Sequence, residues 1–500
     1  MTSRRLYVVL FLAGVLISGF TILRQLDPFD EGLMLQAARR VADGQMPYRD
    51  FLCPYGPAQP YLLGGLVKAF GVSLLDWRVL RVLTDAAIGL VVYLIARREA
   101  GPRLALVGWL AAVCAMAQPR SASSTPLALL AGLGAIYVAT RSERRLGWAA
   151  LLTAVAAAFR LDFALYAGAG VLAALLWGRL WRDAVRYAGT SAALSALVYL
   201  PFLIAIGPAD LYDALVGSSL RERDYWTLPF PLDYGGGLSG LKDVKDVLDF
   251  YVPALLVAGL VVAAIATAVR IARRRHIPPV WVALAVVAAG ALSYVVSRAD
   301  EVHTTPLLVI LAALLPIVVA RAADSGARAI GVAAAAVLAL LLAHGAWNRA
   351  SALVRPPDLD TVHVAVADGV KAPPSEARAI EAMVAAVQRR VPPGQPIYTV
   401  TQRSDLVRFN NPLIYVLTER DNPTRRDFGL QTGAPAQSEI VATLERVRPR
   451  AIVRWTDPIS TVREANLRGR PSGVHTLDDF LLAEYRPAER SGYYEVWEPR

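Results

Sequence analysis

Cysteine and charge are both scarce in this chain of 500 residues. The two cysteines, Cys53 in a polar stretch and Cys114 inside an apolar run, give no disulfide framework and no metal-ligand spacing, so both are expected to be free thiols. Charged residues make up only 19% of the chain against 55% hydrophobic, which excludes an ordinary soluble globular domain. A Gly-rich phosphate loop, a metal box and a nucleophile elbow are missing, and the two halves show no repeat. A cleavable signal motif is missing too, so the first apolar run is expected to stay in place as an uncleaved helix. The formal charge of +11 would suggest nucleic acid in a soluble protein. Here the arginines fall in short loops between apolar segments, so no nucleic-acid partner is expected.

What the chain does have is repeated Ala/Leu/Val blocks, which raise its mean hydropathy to +0.41. They predict a polytopic α-helical membrane protein with about eleven transmembrane segments. Their centres lie in Tyr7 to Leu23, Val79 to Ala96, Leu104 to Ala117, Pro126 to Ala139, Gly147 to Ala158, Phe163 to Trp177, Ala188 to Ile206, Val252 to Val269, Pro279 to Val296, Thr305 to Ala320 and Ala329 to Ala343. Alternate loops carry Arg4 and Arg5; Arg97, Arg98 and Arg103; Arg141, Arg144 and Arg145; Arg179, Arg182 and Arg186; Arg270 with Arg273 to Arg275; and Arg321 with Arg328. By the positive-inside rule those loops face the cytoplasm of a bacterial inner (plasma) membrane.

The remaining loops then share the outer face. They include "DPFDEG" with Asp27, Asp30 and Glu31, "PRSASS" (Pro119 to Ser124), "FRLDF" (Phe159 to Phe163), "RERDYWTLPFPLDYGGG" (Arg221 to Gly237) and "SRADEVHTTP" (Ser297 to Pro306). Charges at membrane depth are costly unless they line a wet cavity or pair with something, so the set points to a site at the outer rim. Taken singly, Arg160 with Asp162 or Arg298 with Asp300 could be no more than stapling ion pairs. Residues 1–346 are assigned to the membrane part, with a first outer loop over about 26–75, and residues 347–500 to an extracytoplasmic α/β domain. In that domain "SEARAIEAMVAAVQRR" (Ser375 to Arg390) reads as a helix capped by Ser375, and Asn411 to Arg420 and Ser438 to Pro449 as further helices. Pro396 to Val400, Ala451 to Trp455 and Tyr493 to Trp497 read as strands.

An apolar first helix, an acidic "DE" just outside it, "GQMPYRDFLCPYGPAQPYLL" and "FGVSLLDWRVLRVL" together resemble the GT-C glycosyltransferases. The likeness is nearest to those labelled family 39, the protein O-mannosyltransferases and the lipid A aminoarabinose transferase, and is most specific over residues 1 to about 100. It implies a membrane glycosyltransferase that takes a sugar from a polyprenyl-phosphate carrier and passes it to an extracytoplasmic glycan, lipid or protein. It also implies membrane lipids as surroundings. Asp30 matches the family's Asp of the "DE" pair, a candidate base for the acceptor hydroxyl, with Glu31 as its helper. A capping role for both acids at a helix start is compatible with this.

The leaving group is a lipid phosphate, so a cation must meet the charge that develops on it. Candidates are Arg49, Arg78, Arg81, Arg160 and Arg298, with Arg81, four residues before Asp85, also reading as a helical ion pair. Tyr48, Tyr55, Asp162 and His303 are candidate substrate contacts. The aminoarabinose transferase type has "KPP" where this chain reads "YGP" (Tyr55 to Pro57), so its phosphate-contacting lysine is absent. Some relatives use a divalent cation, but a lone His303 beside Asp300 and Glu301 does not make a zinc site, and no metal ligands are assigned. The competing readings are a lipid or polysaccharide transporter, which needs ionisable groups at mid-membrane depth, and a non-catalytic glycolipid-binding relative.

Overall fold

The computed structural model describes residues 3–118, 120, 123–141, 145–237, 240–324, 327–406, 410–427 and 431–500. Parts of "PRSASS" (119, 121 and 122) and Arg144 lie outside them. The membrane part runs α1 (Ser3–Gly19), α2 (Asp30–Ala42), α3 (Ala58–Phe70), α4 (Leu74–Met116), α5 (Thr125–Ala139), α6 (Leu146–Phe159), α7 (Leu161–Trp177) and α8 (Trp181–Tyr212). Two short turns, α9 (Ser218–Arg221) and α10 (Arg223–Trp226), precede α11 (Leu241–Ala272), α12 (Pro279–Ser297), α13 (Glu301–Asp324) and α14 (Arg328–Val354).

Every apolar run in the sequence has its centre within one of these helices, the first running on four residues past the end of α1. Two of them share α4, where the backbone leaves helical geometry at Gly101 because Pro102 has no N–H to continue the ladder and its ring crowds the preceding turn. Among the described residues, α4, α8, α11, α12, α13 and α14 are long and apolar enough to cross a membrane by length and composition, while α5, α6 and α7 are shorter apolar helices. Helix α13 is the central post, packed on α4, α11, α12 and α14, with Leu307, Val309, Leu311 and Leu314 fully buried. The Ala-rich faces of α5 and α6 meet closely, as small side chains allow in a bilayer, where tight packing rather than the hydrophobic effect holds helices together.

The structure departs from the sequence reading in two ways. First, α14 runs on to Val354, so the boundary placed at 346 falls inside a helix. Second, the segment given as a loop over 26–75 folds into α2 and α3, the first at the helix start that its two acids allowed. Its Leu33, Met34, Leu35, Ala38 and Leu63 share one core with Val362, Ile380, Tyr415 and Val453 from the far end of the chain.

The C-terminal residues carry β1 (Asp360–Thr361), β2 (Lys371–Ala372), α15 (Pro374–Arg390), β3 (Tyr398–Thr401), α16 (Leu413–Thr418), α17 (Ala434–Val447), β4 (Ile452–Trp455), α18 (Thr476–Glu484), β5 (Tyr485–Ser491) and β6 (Tyr494–Pro499). A four-stranded sheet has the order β3-β4-β6-β5, with β3 and β4 parallel and the other pairs antiparallel. Helix α15 starts one residue earlier than its sequence suggests. Pro374 occupies the first helical position, where its missing N–H costs nothing, and Ser375 is not a side-chain cap.

Candidate active site

The site begins with the turn that launches α2. The Phe29 amide donates to Asp27 Oδ1 at 3.0 Å, an Asx turn that aims the chain into a helix whose first turn holds Asp30 and Glu31. Acids are favoured there by the unpaired amides. Two consecutive helical residues point about 100° apart, and these two go to different fates.

Glu31 turns inward and is wholly buried against Arg78, whose Nε and Nη2 donate to its carboxylate at 2.7 and 2.9 Å. The rest of that guanidinium donates to the Ile22 and Gln25 carbonyls. Arg78 is therefore a fixed counter-ion in the wall, which corrects its assignment as a donor-phosphate ligand, and Glu31 is the partner that fixes it.

Asp30 faces the charges of Asp27, Asp300, Arg160 and Arg81. Burial, then the neighbouring carboxylates of Asp27 and Asp300, push its carboxyl up to about 8, against the opposing pull of Arg160 and Arg81. Asp27 is likewise raised, to about 6, by burial and by Glu31. A carboxyl held so close to neutrality is suited to trading a proton.

Arg160 lies at the joint between α6 and α7. It makes a two-point bond to Asp162 at 3.0 and 2.6 Å and donates to Thr125 Oγ1 at 2.9 Å and the Tyr294 hydroxyl at 3.2 Å. The guanidinium also lies 5.4 Å from the Tyr55 ring centroid and 4.9 Å from that of Tyr294. The loop bearing Tyr55 is seated by its neighbour Gly56, whose amide donates to the Phe159 carbonyl at 3.0 Å. A Cβ there would come within 2.2 Å of the Ala158 carbonyl oxygen, so only glycine fits. Burial raises the Tyr55 phenol well above its usual range, so it stays a neutral donor.

His303 closes the group. Its Nδ1 meets Asp300 Oδ1 at 2.6 Å and its ring lies over that of Tyr294, with centroids 4.3 Å apart. Asp300 in turn accepts from Arg298 Nε at 2.6 Å, and the rest of Arg298 is spent on Glu464, at 3.0 and 2.8 Å, and on the Trp226 carbonyl. These partners hold Asp300 below the usual carboxylate range, so it remains charged.

The structure thus brings together Asp30, Tyr55, Arg160, Asp162, Arg298 and His303 from loops far apart in the chain. It sets two other sequence candidates aside. Arg49 is exposed and paired with its neighbour Asp50. Tyr48 is buried and donates to the Tyr55 carbonyl at 2.6 Å, so it props the loop from beneath rather than facing a substrate.

Three cations face the two adjoining cavities: Arg81, whose expected pair with Asp85 forms at 2.8 Å, and Lys245 and Arg349, which sequence reasoning passed over. The smaller is lined by Arg81, Gln118, Thr125 and Glu301. The larger, of about 640 Å³, is lined by Lys245, Asp249, Asp300, Glu301, His344 and Arg349. Lys245 and Asp249 stand in the first turns of α11, His344 and Arg349 in the last turns of α14, and Arg81 near the start of α4. These positions put the charges at one end of the helix bundle. The readable signal was a His and an Arg in "LLLAHGAWNRA", charges that an apolar helix carries only for a reason. Asp27 and Asp300 both bear on the ionisation of Asp30, yet among the described residues the three do not gather into a three-ligand metal set.

No protein-family model matches the chain. It is 30% identical over 246 residues to the undecaprenyl phosphate-alpha-4-amino-4-deoxy-L-arabinose arabinosyl transferase of Pseudomonas paraeruginosa, 45% of this chain and 42% of that protein. Over 250 residues it is 30% identical to the corresponding transferase of Pseudomonas aeruginosa, 46% of this chain and 43% of that protein. The chain thus matches about two fifths of the length of these relatives. Among solved structures it is similar to ArnT from Cupriavidus metallidurans bound to undecaprenyl phosphate, at a TM-score of 0.58 and 14% identity over 99% of this chain and 98% of that one. The Archaeoglobus fulgidus oligosaccharyltransferase tethered with an acceptor peptide aligns at 0.54 and 14%, over 91% of this chain and 69% of that one. The chain therefore shares its fold with these two solved structures.

Proposed function

We propose that this chain is a GT-C glycosyltransferase that moves a sugar from a polyprenyl-phosphate carrier to a hydroxyl-bearing glycan, lipid or protein on the outer face of the inner membrane. The observation that carries the reading is Asp30: a half-buried carboxyl at a helix start, pushed up to about 8 by its surroundings and within electrostatic reach of Arg160 and Arg81. The relatives named for undecaprenyl-phosphate-linked transfer, and the fold shared with a structure that holds undecaprenyl phosphate, support the same donor class.

In this reading the ionised Asp30 accepts the proton of the acceptor hydroxyl as that oxygen bonds to the anomeric carbon. The carbon–oxygen bond to the phosphate breaks, and the electron pair leaves with polyprenyl phosphate. Cations lining the cavities, Arg81, Lys245 and Arg349, are placed to meet that charge. They replace the assignment to Arg49 and Arg78; Arg81 and Lys245 carry carboxylate partners of their own, Asp85 and Asp249, as Arg160 and Arg298 do, but they line the cavities, while Arg160 and Arg298 orient the loops around the base. No step here requires a metal ion. The apolar helices are read as eleven spans, with the amino terminus cytoplasmic and the sheet-bearing domain after α14 outside. A transport path would need charges at mid-membrane depth, whereas those lining the cavities belong to the ends of α4, α11 and α14. The test is to incubate the purified protein with a panel of polyprenyl-phosphate sugars and candidate acceptors and follow release of polyprenyl phosphate. Efficient transfer from soluble nucleotide sugars instead would rule the proposal out.

A further inference from the structure

A second group of ligand-type side chains lies in the C-terminal residues, in no contact that the transferase reading uses. Asp405, His475 and Asp478 each direct one ligand atom into a common space, with those atoms all within 4.8 Å of one another. Asp405 follows β3, and His475 and Asp478 follow β4 at the start of α18. Asp405 thus lies four residues beyond the carboxyl end of β3, one strand of a parallel pair, the edge at which α/β sheets bind ligands.

The two segments that carry these side chains are locked to each other. The wholly buried Gln437 donates to the Ser404 carbonyl at 3.1 Å and the Val474 carbonyl at 3.0 Å, and accepts from the Leu477 amide at 2.9 Å. The Ser472 amide donates to the Asp405 carbonyl at 2.7 Å. The Ser404 amide donates to both Asp478 oxygens, at 3.2 and 3.0 Å. Beside it the Ser404 hydroxyl, more than nine-tenths buried, faces Asp478 without settling into a well-formed hydrogen bond. Preset ligands backed by outer hydrogen bonds, with a spare buried oxygen beside them, are what a cation site needs and what a simple ion pair does not.

We propose that Asp405, His475 and Asp478 form a binding site for a single Zn²⁺ ion. One imidazole nitrogen and two carboxylate oxygens suit a borderline-soft divalent ion better than Ca²⁺ or Mg²⁺, which favour all-oxygen sets. The present competitor is Arg403, which bonds both oxygens of Asp405 at 2.9 and 2.6 Å from a half-exposed position. The ion displaces it from at least one of them.

The test is calorimetric titration of the metal-stripped full chain in detergent with Zn²⁺, and in parallel with Ca²⁺. One equivalent of Zn²⁺ should bind and raise the thermal unfolding midpoint. His475→Ala, at an exposed position, should abolish that binding while leaving the metal-free midpoint in place. Arg403→Ala should bind Zn²⁺ more tightly than the native chain, because the competing cation is gone. No saturable Zn²⁺ binding, binding that survives His475→Ala, or a preference for Ca²⁺ would each overturn the site; a looser Arg403→Ala variant would overturn the competition.

Discussion

At the scale of single residues, the two acids of "DPFDEG" have parted roles that their adjacency in sequence conceals. Asp30 is neutral until the pH approaches 8, because burial and the nearby carboxylates disfavour its charge. A base must be unprotonated to act, so turnover should rise with pH through about 8 rather than level off in the usual carboxylate range. Asp30→Asn cannot accept a proton and should lower turnover by about 10²- to 10⁴-fold, the usual contribution of a placed base, with donor affinity nearly unchanged. A pH–rate profile of the native chain and turnover of the variant check both. Glu31→Gln behaves differently. It leaves the Arg78 guanidinium buried without its counter-charge, which typically costs about 3–5 kcal/mol of stability. A large drop in the unfolding midpoint is therefore expected. The loops that hold these residues were legible because unpaired charge at a membrane rim is conspicuous. Their partners were not: Arg78 and Glu31 are 47 positions apart, and Arg298 and Glu464 166, and nothing in local spacing announces such pairs.

Among the elements, α2 carries the most weight and was the least readable. It is a short helix within a polar stretch, buried nearly all round by α3 and by residues more than three hundred positions away. Arg39 and Arg40 tie its last turns to the C-terminal residues. Arg40 bonds both oxygens of Asp427 at 2.6 and 3.0 Å, and Arg39 donates to the Tyr415 and Arg420 carbonyls. At its first turn Gly32 meets Leu413 so closely that a Cβ would come within 2.3 Å of the Leu413 amide nitrogen. Backbone cannot step aside as a flexible side chain can, so Gly32→Ala should push α2 off α16. Overpacking of this kind costs about 1–3 kcal/mol, and a base two residues away should lose turnover with it. Thermal unfolding together with kcat, set against Gly65→Ala in α3, where no atom lies within 4 Å of the added carbon, separates the local clash from a general glycine effect. The apolar helices posed no such difficulty, since runs of that length have few other readings.

For the molecule as a whole, arginine asymmetry, apolar helices and a ring of charge at one end of the bundle describe one orientation. A reporter active only in the cytoplasm and fused after Arg500 should be silent, and an active fusion would put the cavities on the wrong side for an outer acceptor. Lys245 and Arg349 face the larger cavity from α11 and α14, so neutralising either should raise the donor KM more than it lowers kcat if they hold the donor's phosphate. The central claim is that Asp30 takes the acceptor's proton in transfer from a lipid-linked sugar. The most direct measurement is single-turnover transfer from a radiolabelled polyprenyl-phosphate sugar by the native chain and by Asp30→Asn, with donor binding measured on the same samples. Labelled product from the native chain, with Asp30→Asn binding donor but forming almost none, is the predicted result; near-native transfer by Asp30→Asn would contradict it.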